Sequence, residues 1–118
     1  MEEMRRERMH MADYDIMDDV IDTMMEVYDE LDGAKKYIKA AISHKEMDRP
    51  AAESMVLLSA QELQHADTLT TNINRMFERM KTENHECYDV LHKVRTYIRE
   101  RQMGYAAWIK QMHEVYKK

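Results

Sequence analysis

The stretch SHKEMDRPAAES, residues Ser43–Ser54, contains the one proline of the 118-residue chain and interrupts a long helical pattern. Two glycines and one proline leave little material for turns, so we expect few, long helices. Within the break, Asp48 has the side chain of a helix N-cap, and Pro50 suits the first turn of the helix that follows. The stretch therefore predicts a turn between two long helices.

On either side of this turn, apolar residues recur at alternating spacings of three and four. This pattern predicts a first helix over about residues 3–45 and a second over about 49–81, with Thr82 or Asn84 capping a third over about 83–116. The stripe of the first helix consists of Ile16, Val20, Met24, Val27, Leu31, Ala34, Ile38 and Ala41. The seam of the second consists of Met55, Leu58, Glu62, His65, Leu69, Asn72 or Ile73, Met76 and Met80.

The stripe predicted for the third helix consists of Val90, Val94, Tyr97 or Ile98, Arg101, Tyr105, Trp108, Met112 and Val115. The three patterns predict an all-α fold in a single domain over residues 1–118: a long antiparallel helical hairpin followed by a third long helix. Three long helices bury little surface per residue, so a homodimer or a higher homo-oligomer is expected. Tyr97, Tyr105 and Trp108 can pack over the bundle or form a second interface.

Composition narrows the classes of function. The net charge of −5 is spread along the chain without a basic block, so nucleic acid is not an expected partner. Cys87 is the one cysteine, which excludes an internal disulfide and fits a reducing compartment. No stretch approaches the roughly 20 apolar residues that span a bilayer. We therefore expect a cytoplasmic protein without membrane contact.

Glu62 and His65 occupy positions where the pattern of the second helix calls for apolar residues. Residues three apart on a helix emerge from one face, so a carboxylate and an imidazole can converge on one point. Together they suit iron, manganese or zinc. An acid three residues before a histidine occurs at Glu7 with His10, at Glu62 with His65, and at Asp89 with His92. Only the middle pair falls on an apolar stripe, and the other two are predicted to be solvated.

Glu30 adds a second carboxylate. If the turn centres near Met47, Glu30 and Glu62 lie roughly 25 and 22 Å from it along antiparallel axes, and therefore at nearly the same level. Tyr37 lies two turns from Glu30 on the same face. Two plainer interpretations stay open at this stage: Glu30 as a solvated edge residue, and Glu62 with His65 as a hydrogen-bonded core pair.

These residues resemble half of a ferritin-like di-iron site. Glu30, Tyr37 and the segment ELQHAD, Glu62–Asp67, are similar to the first half of the bacterioferritin or rubrerythrin pattern, and the resemblance covers about Val27–Leu69. In that superfamily two helices each give a Glu and two others each give a Glu-x-x-His to a four-helix bundle. The second half is missing here, because the third helix offers no Glu-x-x-His.

The missing half makes the chain similar to the half-ferritins, in which two copies complete the bundle by dimerisation. The resemblance implies an iron site shared across a homodimer, two ions per dimer, with Glu30, Glu62 and His65 as ligands and manganese or zinc as alternatives. It implies oxidation of Fe(II) by oxygen or peroxide, with Glu62 bridging the metals and Tyr37 acting beside the ligands. The C-terminal HEVYKK does not support targeting to an encapsulin shell.

Alternatives to this interpretation involve the third helix and the absence of metal. Glu100 is a further candidate ligand, although Arg101 and not Glu100 falls on the predicted stripe. Gly33 and Gly104 lie near the same level and can permit close approach of helices. A metal-free helical adaptor, in which the buried polar pair fixes register, is the rival function. A rubrerythrin-like peroxide scavenger is a further one, although no Cys-x-x-Cys is present to build a rubredoxin module.

Overall fold

The computed structural model describes residues 11–118, which form three helices and no strand: α1 (Met11–His44), α2 (Arg49–Glu83) and α3 (His85–Lys117). The all-α prediction is confirmed. The predicted ends of α2 and α3 differ from the observed ones by no more than two residues, whereas the predicted start of the first helix lies outside the described residues. Within the described part of the chain, no helix combines the length and the apolar character that crossing a membrane requires.

Two short connections reverse the chain. At the first, Asp48 caps α2 by accepting a 3.1 Å hydrogen bond from the backbone N–H of Ala51, and Pro50 occupies the first turn, as predicted. At the second, Asn84 is the only residue between α2 and α3. Its N–H donates to the Met80 carbonyl at 2.8 Å, and its side chain accepts from the Cys87 N–H at 3.2 Å. Asn84 therefore ends one helix and begins the next.

The third helix returns along the hairpin. The Gln102 side-chain amide donates to the Met24 carbonyl of α1 at 2.9 Å. Near the far end, the Lys45 ammonium donates to the Tyr116 carbonyl. The contact with the higher residue number on α3 is also the one with the higher number at the α1 side, so α3 runs parallel to α1 and antiparallel to α2. The molecule is an up-down-up bundle of three helices.

The core follows the stripe predicted for α1. Seven of its eight predicted members are buried, and Ile16 is 38% exposed. Opposite them, α2 buries a narrower set that contains several small side chains: Ala52, Ser59, Ala66, Ile73, Phe77 and Met80. Small residues let two helix backbones approach closely, so we expect the closest α1–α2 contact between Ala52 and Ala66.

The stripe predicted for α3 is largely wrong. Of its members, only Ile98, Tyr105 and Met112 pack against the core, half-buried. The buried positions of α3 are instead Cys87, Leu91, Ile109 and Tyr116. That true stripe is interrupted by Arg95, Gln102 and His113, whose polar groups find partners on α1 and α2. Because these polar residues occupy buried positions, the buried face of α3 does not show a regular apolar spacing in the sequence.

What remains exposed on α3 is a second stripe at the same helical spacing. We call the following exposed residues the outer stripe: Val90, Val94, Tyr97, Arg101, Gly104, Trp108, Gln111 and Val115. Its apolar side chains are between 40% (Trp108) and 58% (Tyr97) exposed. The helix thus carries two apolar faces, and the bundle uses one of them.

A chain of polar contacts connects the three helices in the half of the bundle that contains the α1–α2 turn. The Ser59 hydroxyl of α2, fully buried, donates to the Ala34 carbonyl of α1 at 2.7 Å. Nε2 of His113 on α3 lies 2.9 Å from the same hydroxyl oxygen. Because Ser59 has one proton to give, we infer that His113 donates from Nε2. This chain fixes the level of α3 on the hairpin.

Low pH should weaken the contact between His113 and Ser59. Burial lowers the pKa of His113 below its ordinary 6.5, and the neighbouring Lys117 ammonium lowers it further. The stabilising contribution of neutral His113 is therefore complete above about 6.5 and is lost as pH falls through the lower, folded-state value. We expect His113→Gln, which keeps a donor without titrating, to reduce this acid-induced loss of unfolding free energy in denaturant titrations at several pH values.

Ser59→Ala tests the same chain at neutral pH. It leaves the His113 donor without its acceptor and should cost about 1–3 kcal/mol. Exposed Ser54→Ala is the matched control on α2. An acid response of His113→Gln equal to that of the unmodified protein would contradict the assignment.

Candidate metal centre

One side of the α1–α2 hairpin is not covered by α3, and it holds three side chains of metal-binding type. Glu30 comes from α1, and Glu62 and His65 come from α2. One ligand atom from each of the three lies within 4.8 Å of the others. His65 Nδ1 is 3.5 Å from Glu30 Oε2. The level predicted for these residues from the turn is therefore correct.

Helix geometry brings the group together. Glu62 and His65 leave α2 one turn apart on the same side. The Ser59 bond to Ala34 sets the level of α2 against α1, and one turn along from it Glu62 faces Gly33 and Glu30. Glu30 and Glu62 are half-buried, while the side chain of His65 is 60% exposed. Glu62 and His65 thus lie at the edge of the contact between α1 and α2. The sequence pattern had predicted them in the core, and that prediction is wrong.

The two carboxylates perturb each other. The pKa of Glu62 is raised above its ordinary value, chiefly because a protonated Glu62 can donate a hydrogen bond to Glu30. Burial and the negative charge of Glu30 raise it further, and His65 opposes the shift. The metal-free folded chain therefore favours a shared proton between the two carboxyl groups.

The donor set fits a divalent metal ion. Two carboxylate oxygens and one imidazole nitrogen are hard or borderline ligands that suit iron, manganese or zinc. Oε2 of Glu30 is buried and has no hydrogen-bond partner among residues 11–118. A buried oxygen without a donor is costly unless a cation or water satisfies it. The residues present therefore fit a metal, and a metal ion would take the place of the shared proton.

Gly33 makes the approach of Glu62 to α1 feasible. A Cβ added at Gly33 would lie 3.2 Å from Glu62 Oε2 and 3.4 Å from its carboxyl carbon, closer than side chains normally pack. At Gly104 an added Cβ would meet nothing within 4 Å. Of the two glycines singled out from the sequence, Gly33 therefore adjoins the site, and Gly104 is exposed on α3.

The remaining candidates lie apart from the group. Tyr37 is half-buried on the same side of α1, and its hydroxyl forms no hydrogen bond within the part of the chain that is described. Glu100 is exposed on α3 and is not part of the group. Two contacts between α2 and α3, Ser59 with His113 and Asn74 with Arg95, lie on either side of the site along α2. By interpolation between them, the α3 residue at the level of the site is closer to Ile109 than to Glu100.

The other acid and histidine pairs differ in exposure from the central one. Asp89 and His92 are both exposed, as predicted, with His92 stacked on the Tyr88 ring at 5.1 Å between centroids. Glu7 and His10 lie outside the described residues. Sequence reasoning missed Ser59 and His113, although Ser59, a small polar residue three positions before Glu62 on α2, was the available signal.

Comparisons of this chain with protein-family models, with curated proteins and with solved structures found no match. The geometry of Glu30, Glu62 and His65 is therefore the observation that supports a metal site.

The shared proton can be tested in the metal-free protein. Because the pKa of Glu62 is higher in the folded chain, its stabilising contribution is complete below about 4.5 and is lost as pH rises through the folded-state value. Glu62→Gln does not titrate, so its unfolding free energy relative to the unmodified protein should rise between about pH 4 and pH 8. Denaturant titrations with chelator present measure this difference.

Glu78→Gln, at an exposed position on the same helix, controls for the loss of one charge. A Glu62→Gln difference that stays constant over this pH range would contradict the sharing of a proton with Glu30.

Proposed function

We propose that the chain is a ferritin-like di-iron protein that oxidises Fe(II) at a site completed by a second copy of itself. The observation that carries the proposal is the Glu30, Glu62 and His65 group, with ligand atoms within 4.8 Å of one another on the uncovered side of the hairpin. Three ligands on one chain are half of what a pair of metal ions takes in this superfamily.

Symmetry supplies the other half. An isologous two-fold interface presents the same residues from both sides, so two chains together provide four carboxylates and two imidazoles. The surroundings of the group favour such a contact. On α2, Leu58, Leu69 and Met76 follow the spacing of Glu62 and His65, and Leu58 is 40% exposed. A second hairpin laid on this side would cover these side chains and complete a four-helix bundle.

The reaction follows from the ligand type. Hard carboxylate oxygens favour the ferric over the ferrous charge, so two Fe(II) substrate ions held together each give one electron more readily to an oxidant. With O₂, two electrons and two protons yield hydrogen peroxide, and with peroxide they yield two water molecules. Glu30, Glu62 and His65 of the two chains would hold the ions, and Tyr37 would offer a hydroxyl beside them.

Metal content and molar mass test the proposal together. Protein purified aerobically with Fe(II) supplied should contain about one iron per chain and two per dimer. The double variant Glu62→Ala with His65→Ala should reduce bound iron to near zero and abolish Fe(II) oxidation followed by ferric absorbance. Asp89→Ala with His92→Ala, the exposed pair of the same spacing on α3, is the matched control and should change neither quantity.

Two outcomes would contradict the proposal. An iron-supplemented preparation that yields a metal-free oligomer would favour a helical adaptor without metal. Binding of zinc without any oxidation of Fe(II) would leave a metal site but remove the enzymatic activity.

Gly33 offers a second test with its own control. Gly33→Ala pushes a methyl group towards the Glu62 carboxylate, which must shift by a few tenths of an ångström. We expect a loss of metal affinity of about 10- to 100-fold, the range found when groups that orient ligands are changed. Competition with a metal-binding dye measures it. Gly104→Ala, which adds the same methyl group where nothing lies within 4 Å, should leave metal affinity unchanged. Equal metal affinities of the two variants would contradict the placement of Glu62 as a metal ligand beside Gly33.

A further inference from the structure

The outer stripe of α3 is a regular, largely apolar face that no other helix of the described residues covers. Its members follow spacings of four and three from Val90 to Val115, the pattern of helices that pack at a shallow angle. Cations lie beside its aromatic rings: the Arg101 guanidinium is 4.5 Å from the Tyr97 ring centroid, and the Lys35 ammonium is 5.7 Å from that of Trp108. Exposed apolar surface in such a row indicates an interaction site.

Gly104 is a second, independent observation. A glycine inside a helix costs roughly 0.5–1 kcal/mol relative to alanine. Among residues 11–118 nothing requires it, because an added Cβ would meet none of their atoms within 4 Å. Its position on the outer stripe therefore suggests that the space is needed for something outside the chain.

We propose that the outer stripe pairs with the outer stripe of a second copy of this chain, with the two α3 helices antiparallel. The stripe is self-complementary in one register. In that register Tyr97 meets Trp108 of the second copy, Val90 meets Val115, and Arg101 meets Gly104. The largest polar side chain of the stripe thus lies opposite the residue that has none, which accounts for Gly104.

Charge agrees with the same register. Lys93 and Glu114 each precede a valine of the stripe and flank it on one side, and both are exposed. In an antiparallel pair, residues at this flanking position face each other across the contact, so Lys93 of one copy faces Glu114 of the other. The two-fold axis repeats this opposite-charge pair. In a parallel arrangement this flanking position faces the opposite flank of the partner helix, so Lys93 and Glu114 would not meet.

This contact is distinct from the proposed metal-sharing contact. The outer stripe lies on α3, whereas Glu30, Glu62 and His65 lie on the side of the hairpin that α3 does not cover. Two different isologous contacts can operate together, and they join dimers into a larger assembly. The α3 contact requires no metal, so it can form whether or not the proposed iron site exists.

Disulfide formation tests the register. A chain carrying both Tyr97→Cys and Trp108→Cys should form covalent dimers on mild oxidation, seen by non-reducing electrophoresis. The two cysteines are 11 positions apart on one helix, about 16 Å, and cannot bridge within a chain, since a disulfide requires Cα atoms within about 7 Å. The native Cys87 is buried and does not compete.

Two controls decide between arrangements. Tyr97→Cys alone should give no covalent dimer, and efficient dimer formation by this single variant would overturn the antiparallel register in favour of a parallel one. Val90→Cys with Tyr97→Cys should also stay monomeric on the gel. A double variant at 97 and 108 that does not cross-link at protein concentrations where the native chain is oligomeric would overturn the proposal.

Charge exchange tests the partner. Lys93→Glu and Glu114→Lys should each weaken the α3 contact by about 2- to 30-fold in dissociation constant, since the exposed pair occurs twice. The double exchange should restore it, and analytical ultracentrifugation measures all three. Iron content should stay constant throughout. Loss of both assembly and iron would show that α3 serves the metal-sharing contact and would overturn a separate interface, and a double exchange without rescue would overturn the register.

Discussion

The hydrogen bond from the buried Ser59 hydroxyl to the Ala34 carbonyl is the contact on which the rest of the molecule depends. A side chain of α2 that reaches the backbone of α1 at 2.7 Å permits one separation and one level of the two helices. Small neighbours, including Gly33 and Ala66, make that separation possible. His113 then extends the bond to α3, so a single serine aligns all three helices.

The position of the candidate metal centre follows from that alignment. One turn from Ser59, Glu62 is pressed against Gly33 and next to Glu30. Like charges at such a distance are unfavourable without a proton or cation between them, and the raised pKa of Glu62 reflects this. The fold therefore holds an arrangement that is poor for the stability of the metal-free chain, as functional sites often are.

The helices and the common level of Glu30 and Glu62 were predictable from the sequence, whereas the way α3 packs was not, and Leu58 and His65 of the predicted α2 seam are exposed. The α1 stripe is uninterrupted, Asp48 with Pro50 marks the turn, and 1.5 Å per residue suffices to bring Glu30 level with Glu62. On α3, polar residues such as Gln102 and His113 belong to the buried face because their partners lie on other helices. The sequence pattern contains no information about such partners, so it predicted burial of the apolar stripe that is in fact exposed to solvent.

Asn84 separates the observed fold from an alternative in which α2 and α3 form one continuous helix. It is the only non-helical residue between Arg49 and Lys117, and neither glycine nor proline enforces the break there. Continuing the helix through Asn84 would produce one rod of roughly 100 Å. In that form α3 would reach beyond its own hairpin and could occupy the same place on another chain, at the expense of the bond that the Asn84 side chain accepts from the Cys87 N–H. The conformation of Asn84 therefore keeps α3 on its own hairpin and disfavours its exchange between chains.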